Sequence, residues 1–199
     1  MLLTDHPPIL ETRRLTWPDE AACAAFASQL ARAPALFPST FIALAGPLGA
    51  GKTTFVRHLL RALGVPGRIK SPTYAVMEPY ELDGRAISHF DFYRFSDPRE
   101  WADAGFRDVF AAPGLKLAEW PDNAAPVLPV PDWRMQIEPL DTDARQVTVH
   151  ALTTHGVELL AMASHPHPNP LPQAGEGVAP SPAPERRQSS AVAGGRELG

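Results

Sequence analysis

The sequence predicts an α/β domain over residues 1–163, built on a sheet of mixed parallel and antiparallel direction flanked by helices, with a disordered low-complexity tail over 164–199. Three observations predict it. Short apolar, β-branched runs alternate with helical runs, the order expected of a layered α/β domain. Two pairs of strand-like runs are separated only by turn residues, which makes each pair antiparallel neighbours. The stretch LAGPLGAGKTT, Leu44 to Thr54, joins an apolar run to a helical one through a glycine-rich loop.

Taken in order, ILETRRLTW reads as a first strand. PDEAACAAFASQLARA follows as an alanine-rich helix begun by Pro18, with Asp19 and Glu20 in its first turn. STFIALAG is a β-branched strand, and KTTFVRHLLRAL a helix stopped by Gly64. SPTYAVMEPYEL turns at Asp83-Gly84 and returns as AISHFDFYRF, a hairpin. DPREWADAGFRDVF opens with a helix capping pattern, Asp97 three residues before Glu100 with Pro98 first in the helix. GLKLAEW is a short strand. WRMQIEPL and ARQVTVHAL, parted by DTD, are two more, and GVELLAMA is a closing helix.

Composition limits what such a domain does. The chain has 199 residues, 44% of them hydrophobic, which suits one globular domain with a core of its own. A net charge of −4 gives no general attraction to nucleic-acid phosphates, and Arg13, Arg14, Arg68 and Lys70 read as scattered surface bases. The single cysteine, Cys23, excludes an intramolecular disulfide and suggests no metal cluster; within EAACAAF it reads as a small buried helix residue. The opening MLLTDHPPILETRR lacks a signal-type apolar stretch, so a cytoplasmic location is expected. The longest uncharged stretch, Ala33 to Gly51, is broken by Pro34, Pro38, Gly46 and Pro47 and does not read as a membrane span. From Ser164 onward prolines recur with almost no bulky apolar residue, so the segment cannot bury enough surface to offset its ordering entropy.

The glycine-rich loop carries the chemistry. Gly46, Gly51, Lys52 and Thr53 satisfy G-x-x-x-x-G-K-[ST], with a strand before and a helix after. The sequence therefore predicts a phosphate loop. Its glycines allow backbone conformations in which the N–H groups from Gly49 to Thr54 converge on a phosphate at the helix N-terminus. Lys52 would face the outer phosphates, and the Thr53 hydroxyl is a hard oxygen ligand suited to Mg²⁺. Hydrolysis also needs a carboxylate on a neighbouring strand end. Asp91 in HFDFYR and Glu119 in LAEW stand at such ends. Alone, each reads equally well as a helix cap or solvated turn; the pair beside a complete phosphate loop points to function.

GPLGAGKTTFVRHLLRALG, KSPTYAVMEPYE, HFDFYRF with DPREWADAGFRDVF, and LAEWPDN, in this order between about Leu15 and about Ala163, resemble the successive blocks of the TsaE (YjeE) family of bacterial ATPases. The resemblance implies an α/β phosphate-loop protein that binds ATP with Mg²⁺ and hydrolyses it. It implies a helper role, with the TsaB and TsaD proteins as partners, in forming threonylcarbamoyladenosine beside the tRNA anticodon, tRNA being met through the complex. Position by position, Gly49, Ala50, Gly51, Lys52, Thr53 and Thr54 match the family's phosphate-binding run, Thr53 and Glu119 its magnesium ligands, and Asp91 its acidic position linked to hydrolysis. Glu20, early in the first helix, and Arg145, before the last strand, fall where the family contacts the nucleoside.

Several residues carry two readings. Trp120 is either core packing or a contributor to activity or partner contact. Ser71, Pro72, Thr73 and Tyr74 form either a nucleotide-sensing switch or a plain turn. Tyr93 and Arg94 either support Asp91 or hold their strand in place. His89 reads as a strand residue, and no histidine shows zinc-ligand spacing. Two rival functions share the phosphate loop: a small-molecule kinase, which would add an arginine-rich lid, and a non-hydrolysing nucleotide sensor, which would lack a competent carboxylate.

Overall fold

The computed structural model describes residues 7–163, Pro38 excepted. The tail expected over 164–199 lies outside the described residues. Strand β1 spans Glu11–Trp17 and helix α1 Glu20–Ala31; a 3₁₀ turn at Pro34–Leu36 leads into β2, Ser39–Ala45, and then α2, Lys52–Leu63. Next come β3, Met77–Leu82, β4, Arg85–Asp91, α3, Pro98–Asp103, and α4, Phe106–Ala111. Strand β5, Gly114–Glu119, runs into a 3₁₀ turn at Pro121–Ala124, and β6, Trp133–Pro139, β7, Arg145–Ala151, and α5, Thr154–Met162, complete the fold.

The seven strands form one sheet in the order β1-β7-β6-β2-β5-β4-β3. Parallel pairing joins β6, β2, β5 and β4, while β1, β7 and β3 attach antiparallel at the two sides. The sheet is thus mixed, as the sequence predicts. Central β2 is buried from Thr40 to Ala45 and β5 along its whole length, the continuous apolar pattern of strands covered on both faces. One cluster unites Leu30 of α1, Phe55 and Leu59 of α2 and Leu160 of α5 with Ile42, Leu44 and Val149 of the sheet. The other gathers Phe90, Phe92, Trp101 and Phe106 around Phe41 and Ala118.

Local chemistry explains the boundaries. The Asp19 carboxylate caps α1 by accepting from the Ala22 N–H, so the helix starts at Glu20 and Pro18 stays outside it, two residues later than the sequence suggests. On α2 the buried residues Lys52, Phe55, Val56, Leu59 and Leu60 recur at helical spacing, and each large aliphatic or aromatic one contributes about 1.5–3 kcal/mol by burial. Gly64, at φ +101°, ends that helix. Asp83 and Gly84, at φ +51° and +74°, make the tight turn between β3 and β4. The helix expected as one piece from Asp97 is two, because Gly105 adopts φ +68° between α3 and α4. Arg145, expected before the last strand, is its first residue. Among the described residues no helix is long and apolar enough to cross a membrane.

Candidate functional site

Adjacent strand ends build the site. The loop after β2 leads into α2, and Leu44 near the end of β2 is the register partner of Glu119 on β5, which in turn pairs with Asp91 on β4. Loop and both carboxylates therefore meet outside the carboxyl ends of three neighbouring parallel strands, where α/β sheets collect ligands. They line a cleft of about 290 Å³ with Gly49, Gly51, Lys52, Thr53, Thr54, Ser71, Thr73, Tyr93 and Trp120. Gly46 sits behind the loop: a Cβ there would lie 2.1 Å from the Ile137 carbonyl oxygen, so only glycine lets the chain turn this close to β6. Gly49 and Gly51, at φ +78° and +109°, have nothing within 4 Å of an added Cβ and so border open space.

Lys52 is 4% exposed, and its ammonium donates to the Gly46 and Pro47 carbonyls at 2.7 and 2.8 Å while lying 3.8 Å from the Trp120 ring centre. Burial lowers its pKa, and the nearby Glu119 and Asp91 carboxylates act in the opposite direction. The Thr53 hydroxyl donates to Glu119 Oε2 at 2.8 Å, and His89 Nε2 lies 2.9 Å from Glu119 Oε1. Asp91 is held as firmly. Its Oδ2 accepts from the hydroxyls of Ser71 and, at 2.8 Å, Thr73; its Oδ1 accepts from the Tyr93 N–H at 2.9 Å. The Ser71–Thr73 loop, singled out in the sequence as a switch or a turn, thus touches the acid itself. The first N–H groups of α2 have no acceptor within the helix and are free to bind an anion, whereas the Ala50 N–H is committed to the Pro47 carbonyl at 3.2 Å.

A second cleft, about 350 Å³, adjoins the first through the shared residues Gly49, Gly51 and Thr54. Trp17, Asp19, Glu20, Cys23, Ala50, Asp143 and Arg145 complete it. Glu20 pairs with His58 Nε2 at 2.9 Å, and Arg145 donates from Nε to the Ala50 carbonyl at 2.9 Å. The residues chosen from sequence therefore separate into a loop-and-acid group in one cleft and Glu20 with Arg145 in the other. Cys23 is buried, and that burial, with Glu20 nearby, pushes its thiol up to about 12. A larger cavity of about 770 Å³, lined mainly by prolines and aliphatic side chains, shares none of these residues and gathers no comparable set of ammonium, hydroxyl and carboxylate groups.

The donor set fits a phosphate-bound magnesium ion. Thr53 and Glu119 are hard oxygen donors beside an anion-binding helix start, and a cation that takes its remaining ligands from phosphate and water needs few protein groups. Sequence reasoning missed His89, which touches Glu119. A signal was present: in His-x-Asp on one strand, positions two apart share a face, so His89 had to point the same way as Asp91.

The family model for "Threonylcarbamoyl adenosine biosynthesis protein TsaE" matches residues 17–147, which include the loop, both carboxylates and Arg145. A Haemophilus influenzae protein described as tRNA threonylcarbamoyladenosine biosynthesis protein TsaE is 40% identical over 122 residues, covering 61% of this chain and 77% of the relative. A Bacillus subtilis protein of the same description is 32% identical over 115 residues, covering 58% and 72%. The crystal structure of YdiB from Bacillus subtilis aligns with a TM-score of 0.62 at 24% identity, over 77% of this chain and 95% of that one, a likeness of fold.

Proposed function

From its membership of the TsaE family, whose members serve threonylcarbamoyladenosine biosynthesis on tRNA, we propose that this chain is a magnesium-dependent ATPase acting with TsaB and TsaD, and meeting tRNA through them. One observation carries the reading. The Thr53 hydroxyl and the Glu119 carboxylate lie 2.8 Å apart beside the Lys52 ammonium, at the mouth of a glycine-rich loop that opens a helix.

Each residue has a task in this reading. Lys52 releases the Gly46 and Pro47 carbonyls to grip the outer phosphates, while the N–H groups of the first turn of α2 hold the remaining phosphate oxygens. Thr53 and Glu119 would hold Mg²⁺, which would neutralise charge on the phosphates and help the leaving group depart. Asp91 orients the attacking water or takes its proton, once the Ser71 and Thr73 hydroxyls yield part of its carboxylate. Because those hydroxyls belong to a loop, their release couples phosphate contact to loop position. Glu20 and Arg145 border the space for the nucleoside, on the far side of the loop. Lys52 is the only cationic side chain among the described residues lining the phosphate cleft, so turnover by the chain alone is slow and partners raise it.

Phosphate release tests the proposal. ATP should be hydrolysed without any acceptor molecule, faster when TsaB and TsaD are added, and co-purification with them should depend on whether ATP or ADP is present. Release only with a particular small acceptor would indicate a kinase instead. Rapid turnover indifferent to the partners would contradict the helper role.

A further inference from the structure

His89 is fully buried, and its two ring nitrogens are used unequally. Nε2 reaches Glu119 Oε1 at 2.9 Å, whereas Nδ1 has no hydrogen-bond partner among the described residues. Because an ionised carboxylate can only accept, Nε2 is the donor in this contact. A buried polar atom left unpaired is destabilising, a cost that an aliphatic side chain would avoid. Stability alone does not account for an imidazole here.

The geometry at Glu119 does. The carboxylate is 2% exposed, and among the described residues each of its oxygens has one side-chain partner: His89 on Oε1 and the Thr53 hydroxyl on Oε2. The terminal torsion of a glutamate is broad, so a single hydrogen bond leaves the group free to rotate, and two on opposite oxygens fix it. We propose that His89 is a positioning residue for magnesium: by holding Oε1, it keeps Oε2 turned toward Thr53, where the cation of Mg-ATP is bound. This rests on the metal reading of Thr53 and Glu119 given above. His89 touches neither nucleotide nor metal and acts through Glu119. Loss of such an outer partner lowers metal affinity by about 10–100-fold in comparable sites.

The experiment measures binding rather than turnover. ATP affinity of the full chain is determined by calorimetry in EDTA and across a Mg²⁺ titration, for the wild type, His89→Leu, His89→Gln, whose amide N–H takes the place of Nε2, and His89→Asn, whose shorter amide does not reach Oε1. The expected result for His89→Leu and His89→Asn is unchanged affinity in EDTA with the Mg²⁺ midpoint raised about 10–100-fold. His89→Gln should return close to the wild-type midpoint. Should His89→Leu fail to fold, His89→Asn decides. Wild-type midpoints in the Leu and Asn variants would overturn the proposal, as would an equal loss of affinity with and without Mg²⁺, the mark of a merely structural residue. If the wild type itself shows no Mg²⁺ dependence, the metal assignment fails, and His89 with it.

Discussion

Replacing Lys52 by alanine separates the stability of the fold from its grip on phosphate. In the folded chain the ammonium makes two hydrogen bonds, at 2.7 and 2.8 Å, and one contact with the Trp120 ring. Hydrogen bonds to a charged group contribute about 1.5–3 kcal/mol each and an exposed-to-buried cation–π contact about 0.5–2. Against them stands the desolvation of a buried ammonium, several kcal/mol, the cause that lowers its pKa. The terms nearly cancel. Lys52→Ala should therefore change stability by only about 1 kcal/mol in either direction, about 2–4 °C in Tm for a domain of this size. Nucleotide binding is not balanced in this way, because the ammonium exchanges two neutral carbonyl acceptors for charged phosphate oxygens. One positive charge about 4 Å from a phosphate oxygen, at an effective dielectric constant of about 20, contributes about 4 kcal/mol, or close to three decades in Kd. Thermal melting and titration with a fluorescent ATP analogue check both halves. An affinity within about tenfold of wild type in a variant that melts normally would refute the assignment of Lys52 to the phosphates.

Other positions give further tests. Glu119→Ala should reduce Mg²⁺-dependent turnover by about 100-fold or more while changing binding of metal-free ATP little, and the opposite order would remove Glu119 from the metal site. Gly46→Ala must place a Cβ 2.1 Å from the Ile137 carbonyl oxygen at φ +137°, so we expect a loss above about 3 kcal/mol and a Tm lower by about 10 °C; a normal melt would show that the loop tolerates a side chain there. Cys23, with its thiol pushed from 9.0 to about 12, should resist alkylation in the native chain at pH 8 and react once the chain is unfolded. Its folded pKa is the higher one, so the folded state keeps the proton longer: this contribution to stability is whole below pH 9.0 and is lost as pH rises toward 12. Rapid labelling of native protein at pH 8 would contradict the burial.

Strands and the loop–helix junction were legible because their signals are local. Five consecutive apolar residues in β2, a proline-free α2 with apolar spacing, and Asp83-Gly84 between two alternating runs each point to one structure. Gly105 was harder to read, since a glycine within a helical pattern breaks the helix only when the chain must turn; here Trp101 and Phe106, on either side of the turn, pack together at 5.7 Å. In the site, Lys52 and Thr53 followed from the motif alone, whereas Asp91 and Glu119 needed the resemblance to gain roles. Partnerships across the sheet were not legible. His89 to Glu119 spans 30 residues and Thr73 to Asp91 18, and each depends on strand order and register that the linear text does not state. Trp120, read as either packing or a contributor to activity or partner contact, packs: at φ +58° it leaves the strand, sits against the aromatic cluster, and lays its ring over Lys52.

The claim beneath these arguments is that the loop from Gly46 to Thr54, with Glu119 beside it, holds the triphosphate of Mg-ATP. Calorimetry of the wild-type chain with ATP, with and without Mg²⁺, tests it most directly. A saturable single-site isotherm that tightens when Mg²⁺ is added is the predicted result; a flat trace from folded protein under both conditions would contradict it.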